Sequence, residues 1–349
     1  MPKLIIPSRN RPLAITQLLE YLARFAPNTS IIIADGSTHQ YKPEYHKAAL
    51  RFSDRLTIDY RSFEPEISYG DRILSVLDSL DDDLVSVGAD DDFPLMETLI
   101  ACEQFLEANR DYVLAIGSSI DLRLFEDQTV QAACGVSRTL KEPHPSRRAV
   151  AFSAWPFQTT YAVARRSHLI ERYTRFKSQF LVGFHDYTTG IHDCMAGKIK
   201  AIGKLGYIRT HTYQHSYLRP GGGLNFLRSG EAILGLADVF QQDLVNHEGL
   251  SEPEARQLAE RLIRRRIEIL VGRTPYNAPG FEKSSLFRDD VIQAQYAIFK
   301  GLFTEGRPER QRHFAHLRFV MDALLATAQT TDNQGEPATY ETLEAQENV

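Results

Sequence analysis

Three consecutive acids, Asp90-Asp91-Asp92, follow the short apolar run Leu84-Val-Ser-Val87 and precede a segment of helical pattern from about Pro94 to Asn109. Like charges gathered at the end of a strand repel, so something positive must offset them. A divalent cation held between carboxylates and a diphosphate does so directly. The competing structural reading is a solvated acidic turn in which Asp92 or its neighbour caps the next helix. That reading suits Asp81-Asp82-Asp83, on the other side of the same run. A further acid, Asp35 in Asp35-Gly36-Ser37, ends the apolar run Ser30-Ile-Ile-Ile-Ala34. A carboxylate there can accept from the N–H of a nucleobase, although Asp and Gly also serve a tight turn.

These acids need elements that bring them together. Leu4-Ile-Ile reads as a buried strand ending at Pro7-Ser-Arg-Asn-Arg-Pro12. Beyond it Ile15, Leu18, Leu19, Leu22 and Phe25 recur at helical period, with Pro12 suited to a first helical turn. Ser30–Ala34 is a second strand and Arg55–Tyr60 a third. Tyr69–Leu80 carries a helical stripe, Leu84–Val87 is a fourth strand, and Tyr112–Ile116 a fifth. Strands alternating with helices predict an α/β fold, a mostly parallel sheet with helices on both faces. Ligands in such sheets bind beyond the carboxyl ends of the strands. Pro7-Ser8-Arg9, Asp35-Gly36-Ser37 and Asp90-Asp91-Asp92 all follow such ends, so they are expected to share one crevice.

From about Val130 to Arg219 the pattern predicts isolated strands at Ala149–Phe152, Thr160–Ala164 and Ile199–Ile202, with a helix over Arg165–Phe176. Helices follow at Asn225–Asn246, from Ser251 to about Val271, at Asp289–Phe303 and at Glu309–Ala328. Ser251 and Glu254 make a capping box for the second of these. The expected organisation is a catalytic region over 1–224, a helical region over 225–328 and an acidic, disordered tail over 329–349.

Pro7-Ser-Arg-Asn-Arg, Ile31-Ile-Ile-Ala-Asp35-Gly-Ser and Gly88-Ala-Asp-Asp-Asp92, in this order and spacing, resemble the family 2-type glycosyltransferases of the GT-A fold, a Rossmann-like nucleotide-binding architecture. The likeness covers residues 2–120 and extends loosely to about 220. It implies a nucleotide-sugar donor, with a UDP-sugar as the default, and a divalent metal, Mn2+ or Mg2+. By the resemblance Pro7, Arg9 and Asp35 contact the nucleoside, Asp90 faces the ribose with Asp91 beside it, and Asp92 binds the metal on the diphosphate. Asp71 and Arg72, in Tyr69-Gly-Asp-Arg, fall where the family carries a residue near base and ribose. The chain departs from the family pattern in having Ala34-Asp35 rather than paired acids, and in lacking a Q-x-x-R-W motif, which argues against a processive polysaccharide synthase.

An inverting transferase also needs a carboxylate that takes the acceptor hydroxyl proton. The family places it near a helix start, which points to Asp186 in Gly183-Phe-His-Asp-Tyr-Thr-Thr-Gly190, with Asp193 as competitor. Seven residues separate the two, so a continuous helix presents them on one face. The competing reading of Asp186 is a helix N-cap. His211 is the first choice for a late histidine in the metal shell and His215 the second. Arg209 or Arg219 can neutralise the leaving diphosphate, and Gly221-Gly-Gly223 can hinge a lid or form an ordinary loop. Trp155, Phe157, Thr159, Thr160 and Tyr161 either line an acceptor pocket or pack. Arg261, Arg264, Arg265 and Arg266 make a basic edge that is either a solvated face or a peripheral contact with an anionic membrane or lipid-linked acceptor.

Composition narrows the classes. The chain has 349 residues with 40 Lys+Arg and 45 Asp+Glu. Five of those acids lie in Thr331–Val349, which holds no Lys or Arg, so the remainder is neutral and nucleic acid is not an expected partner. No apolar run reaches the roughly 18 residues of a membrane span. Three cysteines, Cys102, Cys134 and Cys194, none in CxxC spacing, disfavour a disulfide framework or zinc ribbon and point to a reducing cytoplasm. The acceptor is expected to be a glycan, a lipid-linked molecule or a protein. Two other readings stand beside this one. A sugar-phosphate nucleotidyltransferase would need a glycine-rich loop after the first strand, where this chain has none. A non-catalytic GT-A-like nucleotide-sugar-binding or scaffold protein would retain the same acids.

Overall fold

A computed structural model of the chain describes residues 1–125, 127–176, 185–212, 230–272, 290–304 and 306–332. Its strands are β1 (Lys3–Ser8), β2 (Ser30–Asp35), β3 (Thr57–Ser62), β4 (Leu84–Val87), β5 (Phe93–Pro94), β6 (Tyr112–Leu124), β7 (Val130–Gly135), β8 (Val163–Arg165) and β9 (Lys198–Thr212). Its helices are α1 (Pro12–Phe25), α2 (Lys42–Phe52), α3 (Tyr69–Asp78), α4 (Met96–Ala108), α5 (Pro145–Ala154), α6 (Arg166–Phe176), α7 (His185–Ala196), α8 (Gly230–Glu248), α9 (Glu252–Gly272), α10 (Asp290–Leu302) and α11 (Pro308–Asp332).

The strands form one sheet in the order β3-β2-β1-β4-β8-β6-β9-β5, with β7 on β6. The half from β3 to β4 is parallel, as expected for strands joined by helical crossovers. Beyond β4 the sheet is mixed: β8 runs antiparallel to β4 and β6, whereas β6 and β9 run parallel. Both faces are covered. In β1, Leu4 and Ile6 point into one core and Ile5 into the other; Ile31 and Ile33 oppose Ile32 in β2 in the same way. A strand buried on both faces reads as a continuous apolar run, which is why these strands were legible without alternation.

One core layer packs α3, α5, α6, α7, α8 and α9 against the sheet. The other packs α1, α2, α4 and α11. The later helices are thus divided between the two faces: α8 and α9 meet α5 and α7, while α10 and α11 meet β9. Among the described residues no helix is long and apolar enough to cross a membrane.

Several stretches differ from expectation, among them the strand expected over Ile199–Ile202, which runs from Lys198 to Thr212. Ala149–Phe152 is helical, within α5. Four apolar-rich residues cannot separate a strand from a buried helical turn, and Pro145 at the first turn with Arg148, Ala149 and Phe152 buried on one face marks the helix. The strand expected to end at Ile116 continues to Leu124. Gly117 interrupts its apolar run because β9 approaches too closely for a side chain: a Cβ there would lie 2.8 Å from the Gly206 nitrogen. Lys42–Phe52, unassigned from sequence, is α2, which buries Tyr45, Ala48, Ala49 and Phe52 at helical spacing.

A buried ion network fixes α7. Asp193, fully buried, accepts from His168 Nε2 at 2.7 Å and faces Arg172 Nη1 at 3.3 Å, both on α6. Burial alone would raise its pKa, but Arg172 and His168 outweigh that and hold it at about 2. Asp193→Asn would leave Arg172 buried without its counter-charge. It is expected to cost about 3–5 kcal/mol, measured as a lower urea midpoint with an unchanged slope.

Candidate active site

The turns after β1, β2 and β4 meet as expected. Ser8 pairs in register with Asp35, and the Gly36 N–H donates to the Ser8 carbonyl at 3.0 Å. Asn10, at φ 54°, takes the left-handed conformation that asparagine tolerates better than most residues. Its backbone N–H donates to Ser37 Oγ at 2.7 Å, and its side-chain carbonyl accepts from the Thr38 N–H at 2.9 Å. Pro7 still pairs with β2 but lies beyond the β4 pairing, which ends at Ile5 and Val87.

Asp35 is fully buried and accepts from the Ser37 N–H and the Tyr60 hydroxyl, each at 2.8 Å. Arg72 lies beneath this turn. One guanidinium nitrogen donates to the Ser8 and Ala34 carbonyls at 2.8 and 2.9 Å, tying the ends of β1 and β2 together. Gly36 is required there, since a Cβ would come within 2.5 Å of the Arg72 guanidinium. Arg9 is close enough to repel Arg72, and no hydrogen-bond acceptor within the described residues reaches its Nε. Asp71 sits in the first turn of α3, where its N–H and carboxylate both engage Ser68.

The three acids after β4 take different partners. Asp90 accepts from the Ser8 hydroxyl and from Arg11 Nη1, the latter at 2.7 Å; Arg11 Nη2 donates to Asp91 at 2.6 Å. Asp92 accepts from the Tyr161 hydroxyl, and from the Thr210 N–H at 2.9 Å, with Arg209 Nε 3.8 Å away. Arg209 is shared with Asp121 on the neighbouring strand β6 at 3.6 Å. His211 is buried on β9, two residues from Arg209 and hence on the same side of the strand. By contrast Asp82 makes an ordinary half-exposed pair with Lys3 at 2.9 Å, as the solvated reading of that acidic run expects.

Asp186 lies exposed in the first turn of α7 and accepts from Thr160 Oγ1 at 3.3 Å. It is also near enough to Arg209 to stabilise that guanidinium's charge. Thr160 and its neighbour Tyr161 therefore connect Asp186 with Asp92. Asp193, the sequence competitor, shares the helix but is committed to its buried pair. Trp155 and Phe157 pack, against Cys134 and Val136 and against Phe152 respectively. His215, Arg219, Gly183 and Gly221–Gly223 lie outside the described residues.

Reasoning from sequence assigned no role to the side chains of Arg11 and Ser8 or to Thr210, and gave Tyr161 to an acceptor pocket or to packing rather than to Asp92. Arg11 stands in the quoted Pro7–Arg11 segment, and its charge was the available signal. Thr210 acts through its backbone, which no side-chain motif reports.

Asp90, Asp91, Asp92 and Asp121 gather around Arg11 and Arg209. A site rich in oxygen donors suits a hard divalent ion. Among the described residues, no group of three His, Cys, Asp or Glu donors within 4.8 Å of one another includes Asp92 or His211.

No family model matches the chain, and no curated protein sequence does. Solved structures do resemble it. The crystal structure of S. aureus TarS 1-349 matches with a TM-score of 0.51 at 15% identity, covering 97% of this chain and 93% of that one. The crystal structure of S. aureus TarS 1-349 in complex with UDP-GlcNAc matches with a TM-score of 0.51 at 16% identity and the same coverage. The chain has the GT-A fold that its motifs implied.

Burial pushes the carboxyl of Asp90 up to about 6 and that of Asp92 to about 7, with Asp91 raising both. Folded-state values above the unfolded ones mean that the native protein binds more protons between pH 4 and 7 than the unfolded chain. In EDTA, stability is therefore expected to fall as pH rises through that window. Asp92→Asn should flatten the decline, as read from thermal midpoints across the pH series.

Proposed function

We propose that this chain is a glycosyltransferase that moves a sugar from a nucleotide-sugar, a UDP-sugar in the first instance, to an acceptor hydroxyl with inversion at the anomeric carbon. The observation that carries this reading is the meeting of Asp35, Asp90–Asp92 and Arg11 at the carboxyl ends of β2, β4 and β1, with Asp186 facing them through Thr160 and Tyr161. The fold shared with TarS, which has been crystallised with UDP-GlcNAc, supports it.

Pro7, Arg9 and Asp35 hold the nucleoside, with Asp71 and Arg72 at its edge and Arg72 also keeping the β1 and β2 turns in register. Asp90 and Asp91 take the ribose side. Asp92 and His211 would hold Mn2+ or Mg2+, which when bound supplies positive charge to the diphosphate as its bond to the sugar breaks. Arg11, whose side chain is 43% exposed, exchanges Asp90 and Asp91 for a phosphate, and Arg209 offers a second cation. Asp186 accepts the proton of the acceptor hydroxyl as its oxygen attacks the face opposite the departing diphosphate. Its exposure leaves room for an acceptor, which is a glycan, a lipid-linked molecule or a protein. The three cysteines are buried and free, in keeping with a reducing cytoplasm.

Calorimetric titration of UDP, GDP and CMP, with Mn2+ and with EDTA, tests the donor site. One nucleotide is expected to bind, more tightly with Mn2+, and Asp92→Ala should remove the metal dependence. Absence of binding by all three in both conditions would sink the reading. Asp186→Asn is expected to leave UDP affinity unchanged while slowing UDP release from the cognate donor by about 10²–10⁴-fold in the presence of acceptor. Unchanged turnover would remove Asp186 from the reaction.

A further inference from the structure

Deeper along α7 than Asp186, two buried histidines and a glutamate come together. His168 and Glu171 lie three residues apart on one face of α6, and His192 faces them from α7. One donor atom from each of the three lies within 4.8 Å of the others, and the imidazole rings stack with centroids 5.5 Å apart.

Each histidine has one ring nitrogen engaged and the other left over. His168 Nε2 donates to Asp193 at 2.7 Å, and His192 Nδ1 faces Asp243 on α8 at a looser 3.4 Å. Asp193 and Asp243 are themselves held by Arg172 and Arg175 at 3.3 and 2.7 Å. That leaves one nitrogen of each ring uncommitted, His168 Nδ1 and His192 Nε2. Both are buried and, among the described residues, without a hydrogen-bond partner, in residues only 5% and 0% exposed, an expensive arrangement unless something uses them. His192 Nε2 already lies 4.0 Å from a Glu171 carboxylate oxygen, and Glu171 is half-exposed, leaving a route in from solvent.

A carboxylate behind each imidazole, with the distal nitrogen free, is the outer arrangement that orients histidine metal ligands and raises their basicity. Two imidazoles and one carboxylate suit Zn2+ in donor type and number, with a fourth position left for water. Because Arg172 and Arg175 balance Asp193 and Asp243, Glu171 supplies the net negative charge that offsets part of the ion's.

We propose that His168, Glu171 and His192 form a zinc site that clamps α6 to α7. Closing tetrahedrally around an ion brings donor atoms to about 3.3 Å from one another, and the exposed Glu171 side chain has the freedom to swing in. The site is structural. It lies about 9 Å along α7 from Asp186, the six-residue rise from Asp186 to His192, and fixes the helix whose first turn carries that acid. It is independent of the donor site and of the reading given to it.

The test uses the full chain stripped with a chelator, with Zn2+ alone as the titrant and Co2+ as a spectroscopic probe, in an Asp92→Ala background that weakens the crevice. His168→Gln keeps an Nε2 donor for Asp193 and loses the free nitrogen. His192→Asn likewise keeps an Nδ1-like donor for Asp243. Glu171→Gln changes only an exposed group and guards against misfolding of the other two. One equivalent of Zn2+ is expected to bind and raise the thermal midpoint, with Co2+ giving intense tetrahedral absorption bands. Glu171→Gln should weaken binding by about tenfold or more, and each histidine variant should abolish the bands while circular dichroism stays native. Absence of saturable binding, or binding that all three variants leave untouched, would overturn the site and reduce these residues to a hydrogen-bonded ion network.

Discussion

The acids after β4 carry negative charge into a place where water cannot screen it. Asp90 and Asp92 are almost wholly buried, and a buried carboxylate persists only if donors and cations are brought to it. Those partners come from far along the chain: Arg11 and Ser8 from the end of β1, Tyr161 from just before β8, Thr210 and Arg209 from β9. The mixed half of the sheet can be read as the scaffold for that supply. By running antiparallel between β4 and β6, β8 places Tyr161 over Asp92, and the parallel pairing of β6 with β9 sets Asp121 opposite Arg209.

The same logic of buried charge recurs at α7, with a different result. Where the strand ends meet, three consecutive acids and Asp121 gather around Arg11 and Arg209. Around Asp193 and Asp243 the arginines match the acids, and the surplus is instead a pair of uncommitted imidazole nitrogens. Asp186 and Asp193, seven residues apart on one helix, show how quickly the environment changes: the first is exposed beside Thr160 and the second fully buried between α6 and α7. Helical spacing put both on one face, but that face runs from the mouth of the crevice into the core.

Much of the parallel half was legible because its signals are local. Leu4–Ile6, Ser30–Ala34 and Leu84–Val87 are short apolar runs bounded by turn residues, and α1 announces itself by Pro12 and four fully buried positions at helical period. The downstream half was harder for identifiable reasons. Ala149–Phe152 is too short for period to distinguish helix from strand. Gly117 breaks the run of β6 because of a neighbour, β9, that lies eighty residues away in sequence. Arg72, expected near base and ribose, carries nothing in its sequence context to say that it also ties two strand ends together.

The sequence alone determined which acids follow which strands, since apolar runs and turn residues mark strand ends without reference to the rest of the chain. It therefore determined that Asp35 and Asp90–Asp92 would face one crevice. Tertiary structure decided what surrounds each of them. Whether a carboxylate is paired with arginine inside the core, as Asp193 is, crowded among other acids, as Asp90–Asp92 are, or left in water, as Asp186 is, depends on burial and on partners up to 118 residues distant. Those quantities arise from packing, and no local pattern of residues encodes them.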